Sequence, residues 1–201
     1  MMIKALLLIF EPAATWDGIT RARRSLYFVL MGYLLPFLAF TSAVEAMGLV
    51  HWGKWQSGIA RLRPFSPAQA AGYEVAQMLL TLVVVFISAK VIKSMGETFH
   101  TRHTFTQAFT IVSYGLGPLF LLRLLDAFTI SPWVGWSIGI VLSIAILYHG
   151  VPRVMEPDPS HAFGLYLTTG LLLVMITGIL RYATAAYLTG NLTRLHPFLP
   201  G

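Results

Sequence analysis

Long apolar runs separated by short polar connections dominate the chain, and five of them are long enough to cross a bilayer as helices. A crossing needs about 20 mostly apolar residues, because a lipid-exposed backbone must satisfy its own hydrogen bonds. The spacing predicts spans over roughly Leu26–Val50, Glu74–Ile92, Phe105–Phe128, Pro132–Val151 and Ala162–Leu188. Start signals precede four of them. Ser66-Pro67-Ala68-Gln69 and Thr104-Phe105-Thr106-Gln107 read as capping boxes, in which hydroxyl and amide side chains satisfy first-turn donors. Ser131-Pro132 and Asp158-Pro159 place proline where its missing N–H costs nothing.

The expected fold is therefore all-α: a polytopic integral membrane protein, a bundle of about five transmembrane helices with a short N-terminal interfacial helix. Residues 1–25 form the interfacial amphipathic segment, 26–189 the five-helix domain and 190–201 a short tail. The apolar run from Ala5 to Phe10 is shorter than the roughly 7–15 residues of a secretory signal, so the segment is read as retained. Within it, Trp16 and Ile19, with Tyr27 just beyond, are expected at headgroup level, while Arg21, Arg23 and Arg24 meet lipid phosphates.

Composition agrees with this pattern. The 201 residues are 56 % hydrophobic and only 11 % charged, with a mean hydropathy of +0.71. Such a chain cannot coat itself for water, but it can face lipid. The net charge of +6 does not point to nucleic acid, since Lys and Arg fall at the ends of apolar runs. With the N-terminus inside, inner segments carry Lys4, Arg21, Arg23, Arg24, Lys90, Lys93, Arg102 and Arg153. Outer segments carry Lys54, Arg61, Arg63 and Arg194, half as many, which favours that orientation. Absence of cysteine excludes disulfides and thiolate chemistry.

Charge inside apolar spans is costly and marks the first candidate site. Glu45, Glu74, Arg123, Asp126 and Arg181 come from four spans, all at similar depth near their outer ends. They form either a neutralising lock between helices or a polar vestibule for an ion or small solute. A second constellation, Glu97, His100, His103 and His161, lies in the inner loops. Its imidazoles and carboxylate suit zinc, nickel or iron, although loop residues facing water explain it more simply. No HExxH, GxSxG or phosphate-loop motif is present, so neither an enzyme nor a cofactor is expected. Gly135, Gly139 and Ser143 form a smooth stripe on the fourth span, suited to a neighbouring helix and less simply to a second protomer. Pro118 sits deep in the third span and predicts a kink.

Three short motifs recur in order: Pro12-x-x-Thr15-Trp16-x-x-Ile19, Tyr114-x-x-x-Pro118, and Leu147-Tyr148-x-Gly150-x-Pro152-x-x-Met155. With five spans, they resemble the Yip family of Ypt/Rab GTPase-interacting membrane proteins, in its small prokaryotic branch. The resemblance implies a multi-pass protein of the inner (plasma) membrane that organises the bilayer through lipids or protein partners. It also implies that Tyr114, Pro118, Tyr148, Gly150 and Pro152 shape a common helix arrangement. About 25 residues precede the first span, where eukaryotic relatives carry a long polar region, which argues against GTPase binding. The alternative class is a transporter or channel for an ion or small solute, a divalent metal among them, supported by the intramembrane charges and the broken third span.

Overall fold

The computed structural model describes residues 2–55, 62–98, 104–158 and 160–189. Five helical segments are long and apolar enough to cross a membrane: Leu26–His51, Pro67–Glu97, Phe105–Ala127, Pro132–Met155 and Ala162–Leu188. They are the first to fifth spans, and the chain is an all-α polytopic membrane protein. The first, third and fifth spans begin at one end of the bundle, called here the N-terminal end. The second and fourth begin at the opposite end.

Both capping boxes form. Ser66 Oγ accepts from the Gln69 amide at 3.2 Å while Gln69 Oε1 accepts from the Ser66 amide at 3.1 Å. Thr104 and Gln107 repeat the exchange at 3.3 and 2.8 Å. The second span runs one continuous helix from Pro67 to Thr98. At 1.5 Å per residue it measures about 48 Å, more than a hydrocarbon core of about 30 Å, so it projects beyond the bilayer. The fifth helix starts at Ala162, and the carbonyl of Asp158 accepts from the His161 and Ala162 amides at 2.8 and 3.0 Å. Pro159 and the tail after Thr189 lie outside the described residues.

Two spans are interrupted. In the third, an α-helix over Phe105–Gly115 stops at Leu116 (φ −82°, ψ 2°) and a second starts at Gly117, with Pro118 in its first turn. Proline thus opens a new helical segment instead of breaking a continuous one. A 3₁₀ turn over Arg123–Ala127 completes the span. The first span carries an interruption that was not expected: a π-helical turn over Leu30–Leu34, ending two residues before Pro36. A proline ring clashes with the carbonyl four residues back, and a wider turn there relieves the clash.

The small-residue stripe of the fourth span is filled from within the chain. A Cβ on Gly139 would stand 2.8 Å from the Leu119 Cα, and one on Gly135 would stand 3.0 Å from the Leu122 carbonyl oxygen. The third and fourth spans therefore approach backbone to backbone.

The N-terminal segment forms two helices, α1 (Met2–Phe10) and α2 (Pro12–Arg21). Ala5, Leu8, Trp16 and Ile19 are buried in the main core cluster. Trp16 and Ile19 are thus enclosed by protein instead of facing headgroups, whereas Tyr27 is exposed. Packing beats solvation here because the fourth span offers Trp16 both a notch and a hydrogen-bond acceptor. Ala5 lies against Gly117, about 18 Å along the third span from Phe105 by helical rise.

Candidate functional site

Two places in the bundle carry polar or shape-specific chemistry. At the opposite end, the structure gathers Glu45, Glu74, Arg123, Asp126 and Arg181 into one buried cluster. Each is placed by the last or first turns of its helix: Glu45 by the end of the first span, Glu74 by the start of the second. Arg123 and Asp126 project from the 3₁₀ turn that ends the third span.

Arg123 Nε donates to Glu45 Oε2 at 2.7 Å, and its Nη2 donates to Ser42 Oγ at 3.2 Å and to Glu74 Oε2. Arg181 Nη2 donates to Asp126 Oδ1 at 2.5 Å, and Arg181 Nε donates to the Pro132 carbonyl at 2.9 Å. One arginine therefore joins the first, second and third spans, and the other joins the third, fourth and fifth.

A sixth member was missed by the sequence reading. Lys54, 5 % exposed, reaches in from the two-residue strand Lys54–Trp55, which pairs antiparallel with Leu62–Arg63. Its Nζ donates to the carbonyls of Asp126 and of Phe128, the latter at 3.0 Å. Burial holds the Lys54 ammonium below the ordinary lysine range, an effect that Asp126 and Glu45 oppose. The sequence did contain a signal: three acids against two arginines leave one negative charge to be matched. Beside the cluster lies a cavity of about 60 Å³, lined by Arg123, Asp126, Arg181, Trp136 and Thr177 among others.

The three family-like motifs converge elsewhere, on Trp16. Its indole Nε1 donates to the Ile146 carbonyl of the fourth span at 3.0 Å, across 130 residues of chain. Its ring fills the notch at Gly150, where a Cβ would stand 2.5 Å from Trp16 Cε2. Its edge meets Tyr114 at 6.4 Å between centroids, and Tyr114 stacks on Tyr33 at 4.1 Å. Leu147 closes the same contact from behind, 2.6 Å from where a Gly115 Cβ would be. Tyr33 was not singled out from the sequence, because an aromatic in an apolar span carries no distinguishing signal.

The other motif residues lie apart from this junction. Pro118 opens the second half of the third span. Tyr148 is exposed, with its ring 5.4 Å from those of His149 and Tyr166. Pro152 lies inside the fourth helix near its end.

Of the inner metal candidates, His100 and His103 lie outside the described residues. Glu97 pairs with Lys93 at 3.6 Å, and His161 Nδ1 lies 2.9 Å from Ser160 Oγ. Among the described residues no group of three or more His, Asp or Glu side chains is placed to hold a metal.

The N-terminal end holds a larger cavity, about 400 Å³, between the end of α2 and the start of the third span. Arg23, Arg24, Thr20, Thr106, Tyr114 and Glu156 are among its lining residues. Nearby, burial and then the Arg24 charge hold the Lys4 ammonium below its ordinary range.

The sequence profile of the Yip1 domain matches residues 6–181. No curated protein and no solved structure matches the chain.

Proposed function

The chain belongs to the Yip1 domain family, and from that premise we propose that it is a non-enzymatic organiser of the bilayer, working through lipids or protein partners. The observation carrying this reading is the docked N-terminal hairpin. Trp16 fastens α2 to the fourth span, while Ile3, Leu6, Leu7 and Phe10 of α1 face outward, where lipid would contact them. Arg21, Arg23 and Arg24 follow directly before the first span. An apolar face beside a basic cluster suits insertion into one leaflet with phosphates alongside.

The setting that fits is a prokaryotic plasma membrane with the N-terminal end on the cytoplasmic side, where basic residues are retained. The buried charges of the opposite end read as a helix lock, because the side chains that would greet a solute are bonded to one another. We take that pairing to weigh against a transport reading.

Reconstitution into proteoliposomes tests the proposal. Wild-type protein is expected to change vesicle shape or lipid order, and protein lacking residues 2–21 to lose that effect. Protein-dependent flux across a broad ion and solute panel, with unaltered vesicles, would sink it.

A further inference from the structure

We propose that the 400 Å³ cavity at the N-terminal end is a binding site for a phosphoryl anion, carried by a phospholipid headgroup or by free phosphate. The inference rests on the lipid-partner reading above and names the ligand chemistry and the residues. Four independent features of the cavity point the same way.

The first is uncompensated positive charge. Arg23 and Arg24 line the cavity against a single carboxylate, Glu156. Among the described residues neither arginine makes an ion pair. Other arginines of the described residues are committed or lie far off: Arg123 and Arg181 belong to the buried cluster, Arg153 pairs with Asp17 at 3.0 Å, Arg21 donates to the Asp17 carbonyl at 3.2 Å, and Arg63 is exposed at the opposite end.

The second is backbone geometry. Arg23 (φ 38°) and Glu156 (φ 42°) are the two non-glycine residues with positive φ among the described residues, and both line this cavity. Side chains rarely hold that conformation without a reason. Here it occurs in the turn after α2 and in the turn after the fourth span, both of which line the one cavity.

The third is the donor set. The Arg24 guanidinium lies over the Phe28 ring at 4.1 Å, so the ring occupies its face while its N–H groups point outward in plane. Thr20 presents a hydroxyl with no hydrogen-bond partner among the described residues, and the buried Tyr114 hydroxyl sits beside the Arg24 guanidinium, so the two would share a bound anion. The third span also starts here, behind Thr104 and Thr106, which turns the positive end of its dipole to the cavity.

The fourth is size and depth. About 400 Å³ falls within the range of small-molecule sites, roughly 300–1,000 Å³. Arg24 stands two positions before the first span and Val29 of that span also lines the cavity, so the cavity lies by the start of the span, where headgroup phosphates would reach it. Guanidinium forks bind phosphate and carboxylate oxygens in pairs, but a tetrahedral phosphate can meet Arg23 and Arg24 from different directions, whereas a carboxylate holds both oxygens in one plane and a neutral headgroup brings no charge.

Native mass spectrometry of full-length protein in neutral detergent tests this directly. Three probes are compared: phosphatidylglycerol, oleate (charge without phosphorus) and inorganic phosphate. Phosphatidylglycerol is expected to be retained over oleate, and the Arg23→Gln/Arg24→Gln double variant to bind it at least about ten-fold more weakly, as loss of charge-assisted bonds implies. Arg63→Gln removes the same kind of charge from an exposed side chain at the opposite end and should bind as wild type. Inorganic phosphate binding that the double variant abolishes, with no lipid retained, supports the site with a soluble anion as its source.

Equal retention of oleate, equal loss in Arg63→Gln, or no loss in the double variant overturns the proposal. Should the double variant fail to fold, Tyr114→Phe decides, because it removes one hydroxyl and keeps the ring packing. It should weaken phosphatidylglycerol retention several-fold, and unchanged retention counts against the site. Vesicle reshaping that survives in a double variant no longer binding phosphatidylglycerol would leave both the anion site and the bilayer role standing and show that the role does not run through the site. Reshaping absent from wild type with anion binding intact would sink the role alone.

Discussion

At the scale of single residues, Arg123 has the clearest energetic role. Its guanidinium bonds Glu45, Glu74 and Ser42 at once, and all four are buried. Removing one partner of a buried ion pair strands the others, at a cost of about 3–5 kcal/mol. Arg123→Leu should therefore destabilise the protein by about that amount in detergent unfolding. Adding Glu45→Gln and Glu74→Gln should recover part of the loss, because no unpaired carboxylate then remains buried. Equal stability of Arg123→Leu and wild type would show that the cluster is not a lock. Five members of this cluster were legible in the sequence because charge is conspicuous in an apolar run. Lys54 was not, since a lysine in a loop between spans looks like any solvated cation. Only the strand pair at Lys54–Trp55 turns it inward.

At the scale of elements, local signals predicted local structure and failed for distant packing. Capping boxes and prolines marked helix starts because those bonds lie within four residues of each other. Pro118 announced the break in the third span, and Pro36 was an equivalent signal for the π turn of the first. The docking of α2 had no local signal: its acceptor, Ile146, is 130 residues away. Only the three motifs hinted at it, and the structure explains their pairing by making Gly150 the notch for Trp16. Gly150→Ala forces the indole out of a 2.5 Å contact, and overpacking of this kind costs about 1–3 kcal/mol. Hydrogen exchange should show lost protection in α2 with the five spans still protected. Retained protection in α2 would mean that the notch does not hold the hairpin.

At the scale of the whole molecule, the two ends of the bundle differ in how they handle charge, and that difference is the ground for the orientation we propose. The opposite end buries three acids with Arg123, Arg181 and Lys54, so these charges offset one another. Lys54, which weighed against a cytoplasmic N-terminus when positive residues were compared by loop, is thereby withdrawn from the surface. Among the described residues, the N-terminal end keeps Arg23 and Arg24 free of ion pairs beside its cavity and Lys90 exposed. Cations left at a surface are stabilised by the anionic cytoplasmic leaflet; cations already neutralised gain nothing from it. The chain has no cysteine, so single-cysteine variants report topology without background. Ser131, exposed at the opposite end, and Ser160, exposed at the N-terminal end, flank the fourth span. An impermeant maleimide should label Ser131→Cys in intact cells, and Ser160→Cys only after permeabilisation. The reverse pattern would invert the protein in the membrane and put the arginine-lined cavity on the outer face, where that leaflet potential does not act.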